Sequence, residues 1–340
     1  MKYEVIIIGA GPGGLAAARE LAKNKVKVLV LEKNKVIGPK VCAGGLTTKD
    51  FELGIDKKIA DNFFNKVILH TPLFEDEIVS DEPFVATVSR KKLGQYMAKK
   101  ATIAGAEIKT NVEVADIGEN YLRTKKGEKI EFGCLIGADG SNSIVRRKLD
   151  IKKDKECAAF HYKVKRKFKD MELFFNTQLF GSGYAWIFPH KDFTSIGCGA
   201  DTKKIIDAKN LQVNFKKWLK EQKIDIGPED KFESWFINYD YRGHDFDKIF
   251  LIGDAAGFSS GLTGEGMYFA MVSGIDVVRK IINPSYEQNG IKDILAMKKK
   301  HEEVLSLMNF NKMLTEVEYN TLGMILKSRF LDKYLIDNFG

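Results

Sequence analysis

At 340 residues the chain is longer than one hydrophobic core usually supports, and its 44% hydrophobic content can fill two, so we expect two lobes. The 54 lysines and arginines exceed the 46 acids, and the resulting net charge of +8 is scattered along the chain. Because no basic stripe interleaved with aromatic residues occurs, nucleic acid is excluded as an expected partner. No apolar run reaches the roughly 18 residues that span a bilayer. The four cysteines match no zinc spacing and suit a reducing compartment, so we expect a metal-free cytoplasmic protein, at most peripheral to a membrane.

A glycine-rich turn follows the first apolar segment. Residues 5–8 predict a buried parallel strand, and a helical period follows to about residue 23. The turn between them has the G-x-G-x-x-G spacing with one further glycine, at Gly9, Gly11, Gly13 and Gly14. Such a turn brings a pyrophosphate to the N-terminus of the helix. A second strand at 26–31 ends in Glu32, 18 residues after the last of these glycines, where a carboxylate can bind a ribose. We therefore predict a dinucleotide site.

The next segments predict a loop, strands of a second lobe, and a helix. The loop at 36–46 carries Cys42, is too rich in glycine for regular structure, and should lie against the cofactor. The alternating pattern at 63–88 predicts strands of the second lobe. Ser89 is a predicted N-cap for a helix to about residue 104. Arg90, in the first turn, either binds a phosphate or ribityl oxygen or is an exposed cation.

In the second half of the chain, the predicted elements are mainly strands first and mainly helices later. Residues 106–139 predict short strands that end at Asp139, and residues 156–200 predict long, aromatic-rich strands. A helix at 211–222 and a strand at 235–239 follow. A buried strand from 249 then ends in Gly253 and Asp254, and apolar and amphipathic helices follow to the C-terminus. The histidines at 161, 190 and 244 have no partner that the sequence identifies, and we expect them to be structural.

Three acids, Glu32, Asp139 and Asp254, each end a predicted strand. This combination resembles the flavoprotein hydroxylase and reductase superfamily, whose members bind FAD with such elements. The resemblance implies an α/β fold with a Rossmann-like FAD-binding domain at 1–62, 89–155 and 240–285. It also implies a mixed-sheet substrate domain at 63–88 and 156–239 and a short helical C-terminal region at 286–340.

The resemblance also assigns residues to the FAD. By this resemblance, the pyrophosphate contacts Gly9, Gly11, Gly13 and Gly14, and the adenosine ribose contacts Glu32. The backbone of Val114 contacts the adenine. Arg90 and Asp254 contact the ribityl and phosphate region, and Asp139 lies in the same crevice. The helix entered at Gly266 and Met267 would direct its N–H groups at the flavin N1 and O2 edge. Reduction places negative charge there, which a helix N-terminus stabilises.

An aromatic segment narrows the family. Tyr184-Ala185-Trp186-Ile187-Phe188-Pro189, seven residues and Gly197-Cys198-Gly199 resemble the Y-x-W-x-F-P-x7-G-x-G signature of the geranylgeranyl reductase family. The resemblance implies substrate contacts at Tyr184, Trp186, Phe188, Pro189, Gly197 and Gly199. Alternatively, the three aromatic residues form one face of a core strand.

The loop around Cys42 resembles the cysteine-glycine loop of that family, which implies flavin contacts at Cys42, Ala43 and Gly45. An ordinary thiol, with a pKa of about 8.5, is mostly protonated at neutral pH and can donate the proton that accompanies hydride addition to C=C. Alternatively, Cys42 is a small residue packed under the flavin.

The resemblance therefore predicts an FAD-dependent reductase that saturates the geranylgeranyl chains of lipids, with archaeal-type ether lipids as the first choice. Its partners would be the isoprenoid lipid and an external reductant: NAD(P)H, ferredoxin or reduced flavin. A lipid substrate also predicts peripheral contact with the inner face of the cell membrane through the basic excess. The alternatives are a monooxygenase or halogenase on the same fold, and a non-catalytic flavin- or lipid-binding protein.

Overall fold

The computed structural model describes residues 2–202 and 206–310. The strands are β1 (Lys2–Ile8), β2 (Val28–Glu32), β3 (Gly45–Thr47), β4 (Asn62–Phe64), β5 (Lys66–His70), β6 (Glu75–Val79), β7 (Val85–Thr87), β8 (Glu107–Thr110), β9 (Val114–Ile117), β10 (Tyr121–Thr124), β11 (Lys129–Gly137), β12 (Glu156–Val164), β13 (Met171–Phe174), β14 (Tyr184–Pro189), β15 (Thr194–Asp201), β16 (Lys231–Asn238), β17 (Asp245–Phe246) and β18 (Ile249–Leu251). The helices are α1 (Pro12–Lys23), α2 (Thr48–Glu52), α3 (Arg90–Ile103), α4 (Ile144–Lys148), α5 (Thr177–Phe180), α6 (Ala208–Glu221), α7 (Met267–Ile282) and α8 (Asn289–Met308).

The strands form three sheets. In the first sheet the order is β17-β18-β11-β1-β2-β8, with β10 and β9 added beside β11, and the four pairs from β18 to β8 are parallel. In the second sheet the order is β16-β12-β15-β14-β13-β5-β6, antiparallel except for β13 and β5. The third sheet is β3-β7-β4. The predicted α/β fold with a mixed second sheet is confirmed.

Each large sheet is covered by helices whose apolar side faces it. The apolar strands β1 and β2 are buried beneath α1, which begins at Pro12, where a missing N–H costs nothing. Helix α1 crosses α7 closely, since a Cβ atom on Gly274 would lie 2.5 Å from the Gly13 carbonyl oxygen. Helix α6 packs on the second sheet through Leu211, Phe215 and Trp218. The molecule therefore has two main cores.

The third sheet differs from the expectation for residues 36–88. Strands β5 and β6 join the second sheet as predicted, but β4 and β7 do not. The cysteine loop, predicted to be irregular, ends in β3, because residues 45–47 pair with β7. Local glycine content was misleading there, since a partner strand supplies the backbone hydrogen bonds. The domain boundaries themselves stay a prediction, and residues 311–340 of the C-terminal region lie outside the described part.

Candidate functional site

Four neighbouring parallel strands of the first sheet end at the same level. Ile8 of β1 lies opposite Leu31 of β2 and Gly137 of β11, and Gly137 lies opposite Leu251 of β18. The carboxyl ends of parallel strands border the crevice in which open α/β sheets bind ligands. The structure brings the three predicted acids to this edge: Glu32, Asp139 and Asp254.

The glycine turn between β1 and α1 is shaped by close backbone contacts. Gly9 has φ +104°, and a Cβ atom on Gly14 would overlap the Gly9 carbonyl oxygen, so both positions need glycine. A Cβ atom on Gly13 would lie 2.6 Å from the Ala270 carbonyl oxygen of α7. Gly11 differs, because a Cβ atom there would have one neighbour, at 3.9 Å. The turn is therefore packed on the protein side and open at Gly11, which suits an approaching pyrophosphate.

Glu32 connects this turn to the end of β2. Its Oε2 accepts a hydrogen bond from the Ala10 amide at 2.9 Å, and Oε1 accepts from the amide and the side chain of Asn34 at 2.9 and 2.8 Å. Because each carboxylate oxygen has two lone pairs, Oε2 can accept another hydrogen bond from a ligand hydroxyl. The Val112 amide donates to the Glu32 carbonyl at 3.0 Å, which brings the segment leading to Val114 beside this strand end.

Asp139 and Arg90 each have a buried polar atom, Oδ1 and Nε, without a hydrogen-bond partner among the described residues. The other oxygen of Asp139 accepts from the Ile144 amide at 2.6 Å, at the start of α4. Burial raises the pKa of Asp139, although hydrogen bonds from Ser143 and Ile144 oppose the shift. The Arg90 backbone packs on Gly38, in the loop that leads to the cysteine. Unpaired buried polar atoms require a ligand or water, and these suit a ligand with hydroxyl and phosphate groups.

Asp254 is the centre of a cluster that the sequence did not predict. Its Oδ2 accepts from Lys40 Nζ at 3.0 Å and from Ser141 Oγ at 3.2 Å, and Oδ1 accepts from Ser259 Oγ at 2.6 Å. Asn238, at the end of β16, donates to the Asp254 carbonyl at 2.7 Å and attaches the second sheet here. Burial would raise the pKa of Asp254, but Lys40 and the hydroxyls outweigh it and hold that pKa below its usual range. Asp254 is therefore ionised at neutral pH.

The N-terminus of α7 adjoins this cluster. A Cβ atom on Gly266, the N-cap, would lie 2.7 Å from Ser259 Oγ and 3.4 Å from Asp254 Oδ1. The helix begins at Met267, and no side chain of the N-cap residue caps it, so its first N–H groups can stabilise negative charge in the crevice. The structure thus brings the predicted residues of the helix start together with Asp254.

His190 fixes the loop that carries Cys42. The imidazole Nε2 lies 2.9 Å from the Ala43 carbonyl oxygen, and Nδ1 lies 3.1 Å from Asp61 Oδ2. Gly44 has φ +85°, and a Cβ atom there would lie 2.6 Å from the His190 ring. Cys42 itself is a half-buried free thiol. The structure thus supplies the partner that the sequence could not identify for His190, because the contacting residues come from three segments.

The two faces of β14 contact different parts of the protein. Ala185 and Ile187 pack into the core beneath α6. The rings of Tyr184, Trp186 and Phe188 project from the opposite face, with neighbouring ring centres 6.2 and 6.4 Å apart. The prediction that these three side chains share one face is confirmed.

This aromatic face connects two loops of the crevice. The Tyr184 hydroxyl donates to the carbonyl of Thr263, in the loop before α7, at 2.5 Å. At the other end, a Cβ atom on Gly45 would lie 3.1 Å from the Phe188 ring. The aromatic face therefore extends from the start of α7 to the cysteine loop, and Trp186 is in its middle.

The remaining signature residues surround these rings. Gly197 lies opposite Trp186 in the β14–β15 pairing, and a Cβ atom there would overlap the indole. A Cβ atom on Gly199 would lie 3.7 Å from the same indole. The Pro189 carbonyl accepts from Thr87 Oγ1 at 2.7 Å, which joins β14 to the third sheet. The two glycines thus make room for the indole, and their contact with a substrate stays a prediction.

Two carboxyl groups beside the crevice were not singled out by the sequence. Burial, and then the neighbouring Asp50, raise the pKa of Glu265 to about 7. Burial also raises the pKa of Asp50 to about 6, despite hydrogen bonds from Thr47. Glu265 follows directly on the loop that Tyr184 contacts. A carboxyl group protonated near neutral pH can donate a proton, and only tertiary burial reveals that property.

Comparison with known proteins identifies the family. A family model described as FAD binding domain matches residues 2–296. The digeranylgeranylglycerophospholipid reductase of Methanocaldococcus jannaschii is 29% identical over 96% of this chain and 90% of that protein. The solved structure of a geranylgeranyl bacteriochlorophyll reductase-like protein from Thermoplasma acidophilum has a TM-score of 0.73 at 18% identity and covers 99% of both chains. The flavin-dependent brominase Bmp2 has the same TM-score and identity, over 99% of this chain and 93% of that one.

The chain belongs to the FAD binding domain family. It is an FAD-dependent oxidoreductase, and the predicted relationship to geranylgeranyl reductases is confirmed. The open space at Gly11, the spare acceptor on Glu32 and the unpaired atoms of Asp139 and Arg90 fit FAD as the cofactor. The two solved structures share the fold, while the contact that each residue makes with FAD stays a prediction.

Proposed function

We propose that this oxidoreductase saturates carbon–carbon double bonds of isoprenoid chains, in the first place the geranylgeranyl chains of archaeal-type ether lipids. The observation that supports this best is the aromatic face of β14, which extends from the cysteine loop to the start of α7. A polyprenyl chain is apolar throughout, and an aromatic wall beside the cofactor crevice suits it. The reductase names of relatives at 28–29% identity support the same chemistry.

Different residues bind the cofactor, orient the substrate and donate the proton in this reaction. Bound FAD, once reduced by NAD(P)H, ferredoxin or reduced flavin, supplies the hydride. The glycine turn, Glu32 and Asp254 bind the cofactor, and the N-terminus of α7 stabilises negative charge. The aromatic face orients the double bond. Cys42 donates the proton to the second carbon, which its place in the loop next to Phe188 supports; its packing role under the flavin remains the alternative.

The decisive experiment is anaerobic. The flavin-loaded protein is reduced chemically and mixed with geranylgeranyl ether lipid, and flavin absorbance and lipid mass are followed together. We expect flavin reoxidation and a gain of two hydrogens for each bond reduced. A monooxygenase or halogenase would leave the lipid unchanged until oxygen is admitted. A binding protein without turnover would leave the flavin reduced until oxygen reoxidises it, and would leave the lipid unchanged under both conditions.

The proposal includes peripheral contact with anionic lipid at the inner face of the cell membrane. Among residues 2–202 and 206–310, no helix has the length and apolarity to cross a membrane. One end of the second sheet carries a basic surface, which we define as the exposed side chains of Lys165, Lys167, Lys169 and Lys191. A groove of about 730 Å³ beside it includes Phe63, whose side chain is 45% exposed. Each lysine near an anionic surface contributes about 1 kcal/mol.

Vesicle flotation at low salt tests this contact. Reversing three charges of the basic surface (K165E/K167E/K169E) should weaken binding to anionic vesicles by at least about 100-fold, because each lost lysine removes about 1 kcal/mol. The control K99E/K100E/K126E makes the same change of net charge on exposed lysines of the first-sheet side, and should bind like the wild type. Equal losses in both variants would contradict a localised surface, and a wild type that fails to float would contradict the contact altogether.

A further inference from the structure

Four side chains form a hydrogen-bonded row across the second sheet, one from each of four neighbouring strands: Glu233 of β16, His161 of β12, Ser195 of β15 and Trp186 of β14. His161 lies opposite Glu233 on one side and Gly197 on the other, and Gly197 lies opposite Trp186. Ser195 is two residues from Gly197 and therefore on the same face of the sheet. The row ends at the middle ring of the aromatic face.

Chemistry determines the direction of each hydrogen bond in this row. An indole N–H can only donate, so Trp186 Nε1 donates to Ser195 Oγ at 3.1 Å. A hydrogen bond from His161, with help from Lys163, lowers the pKa of Glu233, so this carboxylate can only accept, and His161 Nε2 donates to it at 2.9 Å.

Ser195 is the link between these two ends. Burial lowers the pKa of His161, although Glu233 opposes the shift, so the imidazole is neutral at pH 7 and its Nδ1 is an acceptor. The Ser195 hydroxyl donates to Nδ1 at 2.8 Å and accepts from the indole. Every polar hydrogen in the row therefore has an acceptor. Both Ser195 and His161 are 0% exposed, so water cannot replace a lost bond.

The hydrogen bond to Ser195 is the specific restraint on the orientation of the Trp186 indole. Gly197 leaves room for the ring to lie over the strand, since a Cβ atom there would overlap it. Tyr184 is fixed by its hydroxyl and Phe188 packs on the cysteine loop. For Trp186, the described residues supply one hydrogen bond, that to Ser195. The orientation of the middle ring is therefore determined from behind, by the sheet.

We propose that Ser195 and His161 are positioning residues that hold the Trp186 indole in one orientation and, through it, the substrate double bond at the FAD site. The proposal rests on the proposed function for its substrate, but not for the orientation of the indole. It assigns a role to a buried serine and histidine that touch neither cofactor nor substrate.

The first test is Ser195→Ala, with Ser182→Ala as the matched control. Ser182 is also buried, and its hydroxyl has no partner in the part of the chain that the structure describes. Flavin content, the ¹H–¹⁵N signals of the three indoles and the single-turnover rate of alkene reduction are measured on one preparation. Ser195→Ala should retain its flavin, lose the hydrogen-bonded signal of Trp186 and reduce the alkene about 10- to 100-fold more slowly. Ser182→Ala should match the wild type in all three.

A second pair of variants keeps the proposal testable if Ser195→Ala does not fold. His161→Asn retains an oxygen acceptor for the Ser195 hydroxyl and should keep most of the indole signal and of the rate. His161→Leu removes that acceptor and leaves the Ser195 hydroxyl free to rotate, so the Trp186 indole signal should shift and the rate should fall below that of His161→Asn. Similar behaviour of these two variants would overturn the proposal, as would a wild-type indole signal or rate in Ser195→Ala.

The outcomes also separate this proposal from the proposed function. If the wild type reduces no alkene, the proposed function fails, and the indole signals alone decide whether the row orients Trp186. If the wild type is active and Ser195→Ala changes the signal but not the rate, the orientation of the indole does not position the substrate and the proposal is overturned.

Discussion

Replacing Gly197 by alanine should disturb the protein far more than replacing Gly199, although both belong to one signature on one strand. Neither glycine has a positive φ, so backbone strain does not distinguish them. The difference is space. A Cβ atom on Gly197 would overlap the Phe160 carbonyl oxygen and the Trp186 indole, whereas on Gly199 its nearest neighbour would be an oxygen at 3.4 Å.

The expected magnitude follows from what has to move. Extra atoms in a packed core typically cost about 1–3 kcal/mol when side chains can adjust. At Gly197 one neighbour is a backbone oxygen of the paired strand β12, which cannot retreat without opening the sheet, so we expect about 3 kcal/mol. At about 2–4 °C per kcal/mol for a large domain, Tm should fall by about 6–12 °C. Gly199→Ala should stay within about 2 °C of the wild type.

Thermal melts of both variants, with FAD content and single-turnover alkene reduction measured on the same samples, provide the assay. Gly197→Ala should also slow the reduction in molecules that still hold FAD, because the displaced indole no longer orients the double bond. Similar Tm values for the two variants would refute the steric reasoning. So would a larger loss in Gly199→Ala.

Three further substitutions test the cofactor site, the aromatic face and the half-buried Glu265 carboxyl group. Glu32→Ala removes the acceptor of the hydrogen bonds from Ala10 and Asn34 and of the expected ribose contact. Charge-assisted hydrogen bonds contribute about 1.5–3 kcal/mol, so FAD should bind about ten- to a hundredfold more weakly in a titration. An unchanged Kd for FAD would contradict the assignment. Trp186→Ala should retain FAD, and its single-turnover rate should fall about 100-fold if the double bond moves by about 1 Å. If the free energy of unfolding instead fell by about 3–5 kcal/mol with loss of flavin, Trp186 would be a core residue. Because the pKa of Glu265 is raised from 4.5 to about 7, its protonated form stabilises the native state fully below pH 4.5, and this stabilisation is lost as pH rises through 7. Between pH 5 and 8 the wild type should therefore lose about 1–3 kcal/mol relative to Glu265→Gln, and parallel curves of Tm against pH would exclude the raised pKa.

Local patterns were sufficient to predict the strand-end acids and the aromatic face. An apolar run that ends in an acid predicts both a buried strand and the place of its carboxylate, which is why Glu32 and Asp254 were found at one sheet edge. Strand alternation likewise placed Trp186 on the face opposite Ala185. These inferences succeed because a period of two or 3.6 residues is a property of a short segment.

The contacts between segments were decided by the tertiary structure. Lys40 and Asp254 are 214 residues apart, and His190 and Ala43 are 147 apart, so no local pattern relates them. The row that ends at Trp186 needs one residue from each of four strands in a particular register. A sequence encodes which segments become strands and which side chains share a face. Which strands become neighbours, and what they bury between them, depends on the packing of the whole chain, and so do the protonation states that follow from burial.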